Sequence, residues 1–478
     1  MTPIDLPRKP LARAVRKAIA PVMVSLPLAM VPLAAKATIN PLGNEFFVNS
    51  TVTNDQDTGP TGQNVVIAPD GDFIVVWTDD SGLDGYGEGV FVRIFNADGT
   101  PQTGEIQVNT TTANNQEDPA VAVDGDGDFV VAWESDEAVG YYEDIFARTF
   151  NAAGTPTSGE IPVNTTTAND QNDPSVAMDT DGDFVVAWES YNQDGYYYDS
   201  VFARTFSAAG APTSGEIAVN STAADDQSDP SAAMDDDGDF AISWESNHLS
   251  GYYSDDVFVR TFSAAGAPTS GEIQVNTSTD GTQDNPSIAM DADGDFVVAW
   301  EDEYGYDGDY SGVFYRTFSA AGAPTSGELQ ANQTTTSYQS RPSVSMQSDG
   351  DFVIAWNSYL QDGDDYGIWA RDFNADGSAA GPEVKISQQN NGDQEDASVA
   401  VSDDGDVVVV FRSGDDTYYD VGPPRAGGDQ NDVIARRFTL NPVASAVPVD
   451  NPVALAGLAS GLGLLGAAAL RRRRRDKR

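Results

Sequence analysis

The residues able to do chemistry in this chain are carboxylates, tyrosines and arginines, because few other reactive groups are present. The 478-residue sequence has no cysteine and a single histidine, His248. Thiol catalysis and histidine-rich metal centres therefore cannot be assembled. Carboxylate pairs remain, and glycoside hydrolysis needs only two of them. The most regular carboxylate pattern is Asp-x-Asp-Gly-Asp, found as Asp124, Asp126 and Asp128; Asp179, Asp181 and Asp183; Asp235, Asp237 and Asp239; and Asp291, Asp293 and Asp295. Three carboxylates at alternate positions beside a glycine turn can converge on Ca²⁺, which takes about six to eight oxygens. The distal glutamate of an EF-hand is missing. The Asp-Gly pair also persists where the first aspartate is replaced by Ala68, Gln347 or Ser402, as turn chemistry alone would have it. Calcium binding and plain turn formation both stand as readings.

Tyrosine is concentrated in one class of loop. Sixteen of the 18 tyrosines fall between FVVAW-like and VFARTF-like segments, among them Tyr141, Tyr142, Tyr196, Tyr197, Tyr198, Tyr252, Tyr253, Tyr306, Tyr310, Tyr366, Tyr418 and Tyr419. Flat rings carrying hydroxyls, set among Asp and Asn, suit sugar stacking with hydrogen bonding. The same rings would also serve to pack loops on one another. These tyrosines are the candidate contacts for an extracellular glycan or surface protein. Arginine recurs at one strand position, as Arg93, Arg148, Arg204, Arg260, Arg316, Arg371 and Arg436. Phe202, Arg204 and Phe206 share a strand face, so the guanidinium is expected to be part-buried and to need a partner. Glu134, Glu189, Glu245 and Glu301, each following a tryptophan, are the expected partners. A glutamine, Gln56, Gln116, Gln171, Gln227, Gln283, Gln339 or Gln394, is expected to tie down each inter-repeat loop. The irregular stretch 413–432, with Tyr418, Tyr419 and Arg425, is where an asymmetric site could lie.

These groups are positioned by a repeat. Asp-Gly-Asp-Phe recurs with its last position at Phe73, Phe129, Phe184, Phe240, Phe296 and Phe352 and, as a variant, at Val407, always 55 or 56 residues apart. Each of the seven copies reads as four short strands, like PSIAMD, FVVAWE, VFARTF and GEIQVNT, separated by Gly, Asp, Asn, Pro and Ser. Four-stranded units repeated seven times predict an all-β, seven-bladed β-propeller. The fourth strand is missing after Phe438 but present at the start as Glu45–Asn49. The N-terminal strand is therefore expected to complete the last blade and hide its edge. A phase in which each blade begins with the GEIQVNT strand is also open, and both phases put the same loops on the same face.

The ends point outside the cell. Residues 1–37 combine basic residues, an apolar run and Ala35-Lys36-Ala37, the layout of a signal peptide. The repeats occupy 38–440 and a linker 441–452. Residues 453–470 form an uncharged stretch just long enough, as a helix, to cross a bilayer core of roughly 30 Å. The basic tail 471–478 would stay cytoplasmic, leaving the body exported and anchored in the inner membrane through that helix. Between the ends the chain holds 12 basic and 72 acidic residues, a net charge of about −60. Nucleic acid and anionic membranes are thus poor partners.

Two resemblances carry further expectations. Val447-Pro448-Val449-Asp450-Asn451-Pro452, the apolar segment and Arg471–Arg475 together resemble PEP-CTERM-type sorting tails, although no Pro-Glu-Pro triplet is present. That resemblance implies processing by an exosortase-type enzyme; a retained anchor is the alternative. The repeat text DGDFVVAWES, VFARTF and GEIQVNTTTANDQNDPSVA resembles tandem repeats of large secreted bacterial proteins that accompany hemolysin-type calcium-binding modules. It implies a surface or adhesion role and names no catalytic residue. The expectation is a non-enzymatic binding protein at the cell surface or in its matrix, with Ca²⁺ as the only candidate cofactor. The alternatives are a glycan-active hydrolase or lyase using the last repeat, or a structural spacer.

Overall fold

The FVVAWES strand decides how the repeats associate, because alternation gives it one bulky face and one small face. In the third repeat Phe184, Val186 and Trp188 point toward the second repeat and meet Val130, Ala132 and Ala147. Val185 and Ala187 point the other way, against Phe240 and Trp244 of the fourth. Large side chains thus fill the space left by small ones at each joint, and Trp77, Trp133, Trp188, Trp244, Trp300 and Trp356 are all fully buried. Within a sheet the paired phenylalanines stack, as Phe184 does on Phe206 at 4.9 Å.

The computed structural model describes residues 39–51, 54–59, 62–136, 142–222, 225–247, 255–279, 281–303, 310–390, 392–414 and 431–440. These residues form a seven-bladed β-propeller of four-stranded antiparallel blades. Blade three shows the pattern: Gln171–Met178 nearest the axis, then Phe184–Tyr191, Asp199–Phe206 and the outer strand Ile217–Ala218. Two blades depart from it. In blade one the inner strand is split into Gln56–Asp57 and Val65–Ile67, both paired with Phe73–Asp79. In blade seven the outer strand comes from the N-terminal side, where Asn40–Pro41 and Phe46–Phe47 pair with Asn431–Thr439. The N-terminal strand does complete the last blade, which settles the phase. The signal-type segment, linker, apolar segment and basic tail lie outside the described residues.

Neighbouring blades are joined by two polar clasps. Arg204 donates from Nη1 to Val163 O of the preceding blade's outer strand (2.8 Å) and from Nε to Ser214 O (3.3 Å), with its guanidinium 5.5 Å from the Phe206 ring centre. The expected pairing with the post-tryptophan glutamates is therefore wrong: the arginines satisfy backbone carbonyls, a geometry repeated from Arg93 to Val48 O (2.6 Å) and from Arg436 to Ile386 O. The second clasp is the outer-strand glutamate. Glu216 accepts from Thr166 N (3.0 Å) and Thr166 Oγ1 (3.1 Å) of the blade before it. Glu45 and Gln388 make the same contact where the ring closes.

Candidate active site

The site is built by prolines inside the inner strands. A proline cannot donate to the ladder and marks a bulge, and in blade three the register against the second strand shifts between Asn172 and Ser175. The bulged residue Asp173, just before Pro174, takes a φ of +50°. The same position holds Gly59, Asp118, Asp229, Asn285, Arg341 and Asp396, all with φ between +46° and +54°. Six side chains, all but that of the Gly59 position, are thereby turned toward the axis on the long-loop face. Asp173, Asp229, Asn285, Arg341 and Asp396, with Gly62, line an axial cavity at the level of the ring.

Behind the bulges stand the post-tryptophan glutamates. Glu134 accepts from Asp173 N (3.3 Å), Glu189 from Asp229 N (2.6 Å), Glu245 from Asn285 N (3.4 Å) and Glu301 from Arg341 N (3.2 Å). Each glutamate therefore holds the bulge of the next blade. Burial of so many carboxylates without matching cations raises their pKa values. Desolvation, with the charges of Asp229 and Asp118 adding to it, pushes Asp173 up to about 7. Desolvation with Asp57 and Glu88 brings Asp118 to about 7, and desolvation with Asp118 and Asp173 brings Glu134 to about 10. Glu189 is driven well above its ordinary value by burial and by Asp173 and Asp229. Burial raises Asp229 as well, but a hydrogen bond from Glu245 and the charge of Arg341 both act to lower it.

The ring is not symmetric. At the position of Glu189, blades one, six and seven carry Thr78, Asn357 and Arg412. Arg412 pairs with Asp396 (2.6 Å), Glu395 (2.6 Å) and Asp57 (3.6 Å), and Arg341 pairs with the same Asp396. Blades two to four thus present aspartates to the axis, blade five presents Asn285, and blades six and seven bring two guanidiniums to Asp396. Two carboxylate triads, Asp173–Glu189–Asp229 and Glu117–Glu134–Glu143, bring one oxygen from each member within 4.8 Å of the others. Such oxygen sets are also what a hard divalent cation takes.

The residues singled out from the sequence lie farther from this centre. In each Asp-x-Asp-Gly-Asp hairpin the first aspartate is a turn acceptor: Asp179 Oδ1 receives the N–H groups of Asp181 (3.0 Å) and Asp183 (2.9 Å). Asp183 Oδ1 in turn receives Ala208 N (2.9 Å) from the next hairpin. Asp124, Asp235 and Asp291 repeat the geometry with Asp126 and Asp128, Asp237 and Asp239, and Asp293 and Asp295. Asp124, Asp179 and Asp235 also line a cavity of about 430 Å³ at the opposite mouth. Of the tyrosines, Tyr142, Tyr196, Tyr197, Tyr198 and Tyr310 are exposed, Tyr197 most at 73%. Tyr366 is half-buried in a row in which Tyr310 meets Tyr338 at 4.8 Å, Tyr338 meets Tyr359 at 6.3 Å and Tyr359 meets Tyr366 at 4.9 Å. Tyr141, Tyr252, Tyr253, Tyr306, Tyr418, Tyr419, His248 and most of the last repeat's loop lie outside the described residues. The glutamines are loop staples: Gln171 takes the Trp188 indole N–H (3.0 Å) and donates to Asn169 O (3.3 Å).

No protein-family model and no curated protein matches this sequence. Solved structures match in shape. The polysaccharide lyase Uly1 covers 84% of this chain and all of its own length, at a TM-score of 0.51 and 10% identity. The Penicillium chrysogenum alpha-L-arabinanase covers 70% and 97% at 0.44 and 13%, and the phage phi92 endosialidase 87% and 71% at 0.45 and 11%. At such identities the likeness to Uly1 is one of fold. It overturns the expectation that this chain is not an enzyme: a polysaccharide lyase is built on a ring of this kind. An asymmetric set of residues lies at the axis, whereas most of the irregular stretch 413–432 lies outside the described residues.

The axial residues were missed because each sits in a repeat position that looked structural. The signal was available in the residue before the strand proline, which varies as Asp118, Asp173, Asp229, Asn285 and Arg341 while its surroundings repeat.

Proposed function

We propose that the protein is a glycan hydrolase whose active site is the axial carboxylate ring. The observation that carries this reading is the contrast between Asp173 and Asp229. Burial and like charges raise Asp173 to about 7, whereas Asp229, also raised by burial, has a hydrogen bond with Glu245 and the charge of Arg341 acting to lower it. Neighbouring carboxylates whose surroundings differ in this way suit an acid paired with a base or nucleophile. One oxygen of each lies within 4.8 Å of the other, which leaves too little room for the roughly 6.5–9.5 Å separation that an intervening water needs and favours direct attack by the second carboxylate. Asp173 gives its proton to the glycosidic oxygen as the C–O bond breaks, and a carboxylate oxygen of Asp229 bonds to the anomeric carbon. Water, giving a proton to Asp173, then cleaves that ester and frees Asp229.

A body charge of about −60 repels polyuronates, so a neutral or cationic polysaccharide is the better substrate and hydrolysis fits better than elimination. The rim tyrosines supply stacking surfaces for flanking sugars. The signal-type and sorting-type segments support a reaction outside the inner membrane. The test is a panel of neutral, cationic and uronic polysaccharides, scored for new reducing ends and for ultraviolet-absorbing unsaturated products. Reducing ends without unsaturation from a neutral or cationic glycan are expected; unsaturated products from a uronate, or no cleavage of any glycan, would overturn the reading.

A further inference from the structure

The inner strands are joined around the axis by serine hydroxyls, and the joint that lacks its serine shows what holds the site. Ser175 Oγ accepts Ala232 N (2.8 Å), Ser231 Oγ accepts Ile288 N (3.3 Å), Ser287 Oγ accepts Val344 N (3.1 Å) and Ser343 Oγ accepts Val399 N (3.1 Å). Ser398 continues the series to Asn64 N of blade one (3.0 Å). In blade two the position is Ala120, which offers no acceptor to Val176 of blade three. That N–H is taken instead by Gln63 Oε1 (3.0 Å), which also receives Ser175 Oγ (3.0 Å), while Gln63 Nε2 donates to Ala232 O of blade four (3.2 Å).

Gln63 belongs to blade one, so it reaches blades three and four only by crossing the axis. The residue before it confirms the path. Gly62 O accepts from Ser343 Oγ (3.0 Å) and Ser398 Oγ (2.8 Å), of blades six and seven. Gly62 has a φ of +65°, and a Cβ there would lie 3.4 Å from Ser343 Cβ, so a glycine allows this crossing. The split inner strand of blade one is thus a strap laid across the ring, beneath the cavity that Asp173 and Asp229 line.

We propose that Gln63 is a positioning residue for the axial pair: by bonding to Ser175, Val176 and Ala232 it fixes the separation of the bulges that carry Asp173 and Asp229. This rests on the hydrolase reading for what the pair does, but the geometry is independent of any substrate. Asp173 is two residues from Ser175 and Asp229 three from Ala232, so the strap holds both strands within one turn of the carboxylates. A strap that merely filled the channel would need bulk and not an amide.

The test replaces Gln63 by methionine, which keeps the length and removes both hydrogen-bonding groups. The Asp173 carboxyl is titrated in the full chain by carbon-13 NMR and assigned by its loss in Asp173→Asn. Freed from the tether, the two carboxylates separate and hydrate, so the Asp173 midpoint is expected to fall by about one pH unit, with the thermal transition still cooperative. A folded Gln63→Met with an unmoved midpoint would overturn the proposal. Should that variant fail to fold, Gln63→Asn keeps the amide but is one methylene too short to reach all three partners, and it is expected to lower the midpoint by a smaller amount; an unchanged midpoint there would overturn it equally. The titration needs no substrate, so failure to cleave any glycan counts against the hydrolase reading and leaves this result standing.

Discussion

At the scale of single residues, function rests on carboxylates whose pKa values burial raises and on Arg341, whose charge acts to lower Asp229. Asp229 is the sensitive member, because desolvation raises it while Glu245 and Arg341 lower it. Arg341→Ala removes one of those supports, and Asp396 keeps Arg412 as its counter-ion. The acid limb of the pH profile for kcat/KM is expected to move up by about one unit; a profile that does not move would show that Arg341 has no electrostatic role at the pair. Asp173→Asn keeps the shape of the acid and removes its proton, so kcat is expected to fall by about 10²–10⁴-fold on substrates with poor leaving groups. Substrates with very good leaving groups need no protonation and should be largely spared, and equal loss on both classes would argue against Asp173 as the acid.

At the scale of elements, the blades are held by buried tryptophan and phenylalanine at each joint, with arginine and glutamate clasps at the outer strands. Arg204→Met leaves Val163 O and Ser214 O without that donor while retaining part of the packing on Phe206. A loss of about 1–3 kcal/mol is expected from urea unfolding, and a change within error would mean that the clasp is replaced by water. Much of this architecture was legible beforehand, since the 55- or 56-residue period, the four strand types and the displaced strand at Glu45–Asn49 required seven closed blades. The arginine partners were not legible: Glu189 and Arg204 lie in paired strands of one repeat, but the guanidinium reaches Val163 of the preceding one. The bulge positions were equally hard to read, because their function depends on a backbone turn at φ near +50° that a strand pattern does not reveal. The Gly62–Gln63 strap gave no periodic signal at all, being the one inner strand that breaks the repeat.

At the scale of the whole molecule, the buried members of the acidic excess make stability depend on pH. Carboxylates such as Asp173, Asp118 and Glu134 have folded pKa values above the ordinary range of about 4. Between those limits the native state binds more protons than the unfolded chain, so their contribution to stability is fullest at low pH and is lost as pH rises from about 4 toward about 10. Glu160 and Glu216 act oppositely: burial pushes them up, but N–H bonds from Thr110, Thr111, Thr165 and Thr166 outweigh it and leave them lowered. Their contribution is lost as pH falls below the carboxylate range. The unfolding midpoint at fixed ionic strength is therefore expected to peak near pH 5 and to decline by pH 9, and a midpoint that rose toward pH 9 would contradict the raised values. The most direct measurement compares the axis with the rim on one polysaccharide substrate, setting Asp173→Asn and Asp229→Asn beside a triple replacement of Tyr196, Tyr197 and Tyr198 by alanine. An axial active site predicts that either aspartate variant loses about 10²-fold or more in kcat, while the tyrosine variant keeps kcat and raises KM. Aspartate variants that match the wild type, with function lost in step with the tyrosines, would contradict it and return the rim to the centre of the protein's function.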